Sequence, residues 1–72
     1  MNRMNHILIT VNGESQSIPA GASLAAVIAN AQLVAEAVAT AVNGEFVPRN
    51  DRASRELLAG DAVFTFQAIT GG

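Results

Sequence analysis

The sequence predicts an α+β domain in which a mixed β-sheet carries one main helix on one face. Apolar residues alternate on either side of two Asn-Gly pairs, which are the strongest short-range signal for a β-hairpin. A single segment between the two pairs has helical spacing, and a final segment, Ala62 to Ile69, is rich in β-branched and aromatic residues. The predicted element order is β-β-α-β-β-β. A chain of 72 residues allows one domain at most.

The first hairpin is predicted around Asn12-Gly13. Residues 7–11 alternate as a half-buried strand requires, and residues 15–18 form the return strand. Pro19 and Gly21 end this strand, because proline has no N–H for a ladder bond and glycine breaks regular structure.

The helix is predicted to begin after Ser23, a residue type favoured at the N-cap. Apolar residues then recur at helical spacing: Leu24, Val27, Ile28 and Ala31. The periodicity of residues 31–42 fits both a helix and a strand. Asn43-Gly44 favours a strand over Val38 to Val42, and hence a helix that ends near Gln32.

The last third of the chain alternates turns and strands. Pro48 ends or borders the fourth strand. A loop with one short helical turn follows, and Gly60-Asp61 forms the turn into the last strand, Ala62 to Ile69. We predict one domain over residues 1–72, with residues 1–5 and 70–72 flexible.

Composition narrows the functional class. The net charge is −2, and the four cationic side chains, all Arg, form no basic stripe, so nucleic-acid binding is not expected. The chain has no cysteine, which excludes a disulfide scaffold and is compatible with a reducing cytoplasm. The early apolar run, residues 7–9, is too short to cross a membrane. We predict a soluble, cytoplasmic protein.

Catalytic chemistry has little support in the sequence. His6 is the only histidine and has no nucleophile or orienting partner close by in the chain. Glu14, Glu45 and Asp61 all flank predicted turns, where solvated acids are expected. No cluster has metal-ligand spacing, and the glycines do not form a phosphate-binding loop. We therefore predict that the protein is not an enzyme and binds no metal.

The two terminal glycines are the first candidate for function. Gly71 and Gly72 lack Cβ, so two such residues in a row are expected to make a narrow thread that can enter a slot too tight for larger residues. The thread ends in a carboxylate, which becomes reactive once it is activated. A frayed terminus without a role, or a cloning remnant, is the alternative.

The last strand supplies the second candidate. Val63 and Thr65 point to one face of the sheet, and Phe64 and Phe66 point to the other. If the Phe pair faces outward, it forms an apolar partner-binding patch on the same element as the glycine tail. The alternative places the Phe pair in the core and leaves Val63 exposed.

Four pieces of sequence, in this order and over nearly the whole chain, resemble the ThiS family. They are "VNG" near the start, "AVNGEFVPR" in the middle, "LLAGDAV" before the last strand, and the terminal "GG". This family comprises the sulfur carriers of thiamine biosynthesis, within the ubiquitin-like β-grasp superfamily. The resemblance implies a β-grasp fold, and therefore a strand over Val38 to Val42.

The resemblance also implies a function and partners. The carboxylate of Gly72 would be adenylated by a ubiquitin-activating-type, ThiF-like partner that uses ATP, and a sulfur donor relay would convert it to a thiocarboxylate. A ThiG-like thiazole synthase would then take the sulfur. Gly71 would give access to the partner's site, and Phe64 and Phe66 would lie on the docking strand. The ATP belongs to the partner, so the chain itself needs no cofactor.

Three alternatives to this function stay open. The small subunit of molybdopterin synthase also ends in "GG" on a β-grasp fold, although "VPR" and the short length favour the thiamine branch. The chain could instead be a β-grasp binding subunit with an inert tail, or a protein-conjugating modifier. Arg49, in "VPR", either contacts a partner or holds its loop, and a structural role is slightly favoured.

Overall fold

A computed structural model describes residues 5–67 of the chain. In this range the predicted order of elements is confirmed, with two short 3₁₀ turns, Ala35–Ala37 and Arg49–Asp51, in addition. The main elements are β1 (His6–Val11), β2 (Glu14–Pro19), α1 (Leu24–Asn30), β3 (Val38–Val42), β4 (Glu45–Val47) and β5 (Ala62–Gln67).

The five described strands form one mixed sheet in the order β2-β1-β5-β3-β4. β1 and β5 run parallel, with Val11 opposite Val63, and the other neighbours are antiparallel. The strand that is last in the described chain is therefore the central strand of the sheet. Its backbone is hydrogen-bonded on both sides, by elements from both halves of the sequence.

The helix begins as predicted and ends two residues earlier than predicted. The Ser23 hydroxyl accepts a hydrogen bond from the backbone N–H of Ala26, as an N-cap should. At the other end, the N–H of Gln32 donates to Ala29 and the N–H of Leu33 donates to Ile28. This is the Schellman arrangement, which requires a residue at positive φ.

Gln32 occupies that position with φ 61°, where glycine is the usual residue. The sequence therefore lacks the usual stop signal, and this is why the predicted helix end is too late. The strand predicted over Val38–Val42 is confirmed. Leu33 then packs against the core, so the residue that follows the turn stabilises it.

The core lies on one face of the sheet and includes the apolar side of α1. Buried residues alternate along β1 and β3, as period-two burial requires. The buried apolar residues are Ile9, Val11, Ile18, Leu24, Val27, Ile28, Val38, Val42, Val47, Leu57 and Val63. None of them is aromatic, so the core consists of aliphatic side chains of moderate volume.

Arg52 is a buried residue in a segment that the sequence predicted only as a polar loop. Its side chain is 4% exposed. Nε donates to the Thr40 hydroxyl at 3.1 Å, Nη1 to the Ala35 carbonyl at 3.0 Å, and Nη2 to the Val38 carbonyl at 2.6 Å. The Thr40 hydroxyl in turn donates to the Val47 carbonyl at 3.0 Å. One planar guanidinium thus ties the loop before β3, β3 itself and β4 together.

Arg52→Lys should therefore destabilise the fold even though it keeps the charge. An ammonium on a flexible stem does not reproduce three bonds in a fixed fork, and each buried acceptor left unpaired costs about 1–3 kcal/mol. We expect a loss of about 2 kcal/mol or more in urea unfolding. Arg49→Lys, at an exposed position of the same segment, is the matched control and should change stability little. Equal effects of the two substitutions would contradict the role assigned to Arg52.

Candidate functional site

β5 contributes to both faces of the sheet. Val63 is fully buried in the core, whereas Phe64 and Phe66 are 40% and 56% exposed on the opposite, open face. The alternative in which the Phe pair forms the core is therefore wrong. With α1 on one face only, the larger side chains of the central strand are left facing solvent.

A third phenylalanine, which the sequence analysis did not single out, joins them. Phe46 of β4 is 67% exposed. In the strand register, Ala41 of β3 lies opposite both Phe46 and Phe64. Directly opposite residues of an antiparallel pair share a face, so all three lie on the open face. The alternation of Phe46 with the buried Val47 was the signal that could have revealed it.

Ala39 lies opposite Phe66 in the same register, so small residues of β3 separate the aromatic ones. We call these five residues the open-face patch: Ala39, Ala41, Phe46, Phe64 and Phe66. All three phenylalanines of the chain belong to it. Single exposed apolar residues need no explanation, whereas a contiguous apolar patch is typical of a partner-binding site.

The first Asn-Gly turn holds one side of β5. Asn12 has φ 53°, and its backbone N–H donates to the Val63 carbonyl at 2.8 Å. Its side-chain oxygen accepts from the Thr65 N–H at 2.9 Å, and its amide nitrogen donates to the Thr65 hydroxyl at 3.0 Å. The side chain thereby continues the β1–β5 ladder beyond the end of β1.

The second Asn-Gly turn holds the other side. Asn43 also has φ 53°, and its N–H donates to the Ala62 carbonyl at 2.8 Å. Its side-chain oxygen accepts from the Ala62 N–H, and its amide nitrogen donates to the Asp61 carboxylate, each at 2.9 Å. The two predicted hairpin turns therefore do more than reverse the chain, because both also fix β5.

Asp61 was expected to be a solvated turn residue, and this is wrong, since it is only 7% exposed. Its second oxygen accepts from the Leu58 N–H at 2.9 Å. Burial raises the pKa of Asp61, but the hydrogen bonds from Leu58 and Asn43 and the positive charge of Arg55 outweigh it. The net pKa lies below the usual value.

The remaining sequence candidates are not brought together. His6 is exposed at the start of β1, Glu14 and Glu45 are exposed beside the hairpin turns, and Arg49 is exposed. Gly71 and Gly72 lie outside the described residues, as do residues 1–4 and 68–70. Within residues 5–67 there is no group of three or more potential metal ligands.

An open groove of about 310 Å³ lies between β4 and the segment that follows it. Phe46, Pro48, Asp51 and Arg55 are among its lining residues, so it borders the open-face patch. No helix among residues 5–67 is long and apolar enough to cross a membrane.

The two faces of β5 should respond differently to substitution. Val63→Ala removes buried methyl groups from the core and should cost about 2 kcal/mol. Phe64→Ser and Phe66→Ser each remove an exposed ring and should cost about 1 kcal/mol or less. Urea unfolding of the three variants checks this. A loss of about 3 kcal/mol at either Phe position would show that the ring supports the core.

The Asp61 carboxylate should make stability depend on acidity. Because its folded-state pKa lies below the unfolded value of about 3.9, its contribution is present above that pH and is lost as pH falls through the folded pKa. Asp61→Asn removes this titration, but its amide has one oxygen where the carboxylate uses two, to accept from Leu58 and from Asn43. The stability difference between wild type and variant should therefore shrink as pH is lowered toward about 3. A difference that stays constant with pH would contradict the assignment.

Comparisons with known proteins agree with this architecture. A model of the ThiS family matches residues 6–72. Among solved structures, the fold matches the crystal structure of a thiamine biosynthesis protein (ThiS) from Geobacter metallireducens. The TM-score is 0.80 at 25% sequence identity, and the match covers 92% of this chain and 100% of the other. A search of curated proteins found no match. The expected β-grasp fold is confirmed, and the chain belongs to the ThiS family.

Proposed function

We propose that this protein is a sulfur carrier of thiamine biosynthesis, and that it serves as a substrate for partner enzymes rather than as a catalyst. Membership of the ThiS family is the observation that carries the proposal. The similar structure from Geobacter metallireducens is described as a thiamine biosynthesis protein, which favours the thiamine branch over molybdopterin synthesis.

In this proposal the working group is the main-chain carboxylate of Gly72. A carboxylate is a poor electrophile, so an oxygen of Gly72 first attacks the α-phosphorus of ATP on the partner, and pyrophosphate leaves. Hydrosulfide supplied by the donor relay then attacks the carbonyl carbon of the acyl adenylate, AMP leaves, and loss of the S–H proton gives a thiocarboxylate at the terminus. Thiazole synthase takes the sulfur from this species.

The body of the domain presents the terminus. Residues 68–72 follow β5, and an extended stretch of five residues reaches at most about 17 Å, so a partner that grips the open-face patch would receive Gly72 within a fixed radius. Phe64 and Phe66 are the proposed docking residues, with Phe46 on the same face across β3, and Gly71 keeps the thread narrow.

The composition suits a carrier whose end is activated. The chain contains neither cysteine nor lysine. It therefore has no side-chain thiol and no side-chain primary amine that would attack its own acyl adenylate and cyclise. A role as a substrate needs no catalytic side chain in the carrier itself, because the partners supply the chemistry.

The mass of the intact protein tests the proposal. We expect incubation with ATP, a ThiF-like adenylating enzyme and a sulfur donor to replace one oxygen of the C-terminal carboxylate by sulfur. A variant that lacks Gly72 should stay unmodified while its urea unfolding is unchanged. An unchanged wild-type mass, with a partner shown to be active on another carrier, would reject the proposal.

The same assay tests the docking patch. Phe66→Ser should slow the modification, because it removes an exposed aromatic contact from the docking face. Val34→Ser is the matched control, since Val34 is similarly exposed but lies outside the sheet. Equal rates for the two variants would remove the open-face patch from the proposal and leave the chemistry at Gly72 untouched.

A further inference from the structure

The two Asn-Gly turns hold β5 through chemically different pairs of bonds. Both bonds of the Asn12 side chain go to Thr65, one to its N–H and one to its hydroxyl. The Asn43 side chain accepts from the N–H of Ala62 and donates to the Asp61 carboxylate. A hydroxyl both donates and accepts, whereas an ionised carboxylate only accepts.

The orientation of the Asn43 amide follows from its neighbours. The backbone N–H of Ala62 is only a donor, so the atom facing it must be the side-chain oxygen. The NH₂ group then faces Asp61. Asn43 must therefore be an amide, because an ionised acid at this position has no proton to donate to an ionised Asp61.

We propose that Asn43 is a deamidation site at which conversion to aspartate releases β5 from the turn between β3 and β4, and that the same conversion at Asn12 leaves β5 held. This inference does not rest on the proposed carrier function. For any function of β5, this places a chemical modification site next to Ala62, the first residue of the strand that bears Phe64 and Phe66.

The chemical step needs only water. The backbone nitrogen of Gly44 attacks the side-chain carbon Cγ of Asn43 and loses its proton. The Cγ–Nδ2 bond breaks, and ammonia leaves. Water then opens the resulting cyclic imide, giving either aspartate or the isoaspartyl linkage. Glycine at the following position favours the attack, because it has no Cβ to obstruct the approach.

The fold restrains this reaction. Both polar atoms of the Asn43 side chain are hydrogen-bonded, and its own N–H is bonded to the Ala62 carbonyl. Gly44 is also held in the turn, at φ 84°. Reaction therefore requires the turn to separate from β5, so the rate of deamidation at Asn43 depends on how often β5 is released.

Conversion of Asn43 to an acid would turn an attraction into a repulsion. One oxygen of the new carboxylate still accepts from the Ala62 N–H, but the other takes the place of the NH₂ group, 2.9 Å from the Asp61 carboxylate. Two carboxylates this close do not both ionise without a penalty, and Asp61 is buried. The positive charge of Arg55 lowers the pKa of Asp61. In the unmodified protein this charge offsets one carboxylate, whereas after conversion of Asn43 it would have to offset two. At Asn12, by contrast, an acid would accept from both the N–H and the hydroxyl of Thr65.

Two substitutions that mimic the product form a matched pair. We expect Asn43→Asp to increase the rate of hydrogen exchange at the Ala62 and Thr65 amides roughly tenfold or more at pH 7, because β5 opens more often. The effect should diminish as the pH is lowered and one carboxylate of the pair takes up a proton. Asn12→Asp should stay within about threefold of wild type.

The double variant Asn43→Asp/Asp61→Asn keeps the test decisive if the single variant does not fold. In it the carboxylate at position 43 accepts from the Ala62 N–H and from the new amide at position 61, whose oxygen accepts from the Leu58 N–H. Donors and acceptors are thus exchanged, and all are satisfied. Recovery of wild-type exchange supports the proposal. A double variant no better than Asn43→Asp, or equal exchange in Asn43→Asp and Asn12→Asp, overturns it.

The unmodified protein tests the reaction itself. After incubation at mildly alkaline pH, peptide mapping should show aspartate and isoaspartate at position 43, forming faster in denaturing urea than in the folded state. In the folded sample, molecules converted at position 43 should show faster exchange in β5 than unconverted ones. If no conversion occurs at position 43 in urea, or if it is equally fast in the folded chain, the proposal is wrong.

Discussion

The structure depends on the insertion of β5 between β1 and β3. This strand has backbone partners on both sides, supplies Val63 to the centre of the core, and is tied near its start and its middle by Asn43 and Asn12. Because its neighbours come from different halves of the sequence, β5 is what joins the two hairpins into a single sheet. The residues that follow β5, which carry the proposed reactive carboxylate, are thus joined directly to the central strand of the sheet.

The same strand explains why the domain has a surface available for binding. The chain has few large apolar residues, and its one described helix covers only one face of the sheet. Aliphatic residues fill that covered side, and the three phenylalanines lie on the uncovered one, separated by Ala39 and Ala41. A phenylalanine in the core would have buried more apolar surface than one on the open face does. Its place on the open face is consistent with the docking role proposed for Phe64 and Phe66.

Most of the fold could be predicted from local signals, because Asn-Gly pairs, an N-cap serine and strand alternation act over a few residues. Three features could not. The helix ends at a Schellman turn that uses Gln32 where glycine is usual. Arg52 and Asp61 look like ordinary loop residues, and only their distant partners, Thr40 and Asn43, explain their burial. The alternation of Phe46 with Val47 indicated an exposed ring, but its place on the same face as Phe64, across Ala41, depends on a register set by tertiary pairing. The terminal glycines were recognised from sequence and lie outside the described residues.

The parallel pairing of β1 with β5 also affects how the protein is made. Thr10 lies beside Ala62, so the first strand finds its inner neighbour only after more than fifty further residues have been synthesised. Until then, β1 and β3 each present an open edge on the emerging polypeptide, and unpaired edges of this kind are where chains adhere to one another. Long-range closure is also slow compared with local pairing. Residues up to the end of β5 therefore have to leave the ribosome before the sheet closes, and until then the edges of both hairpins are open to pairing with another chain.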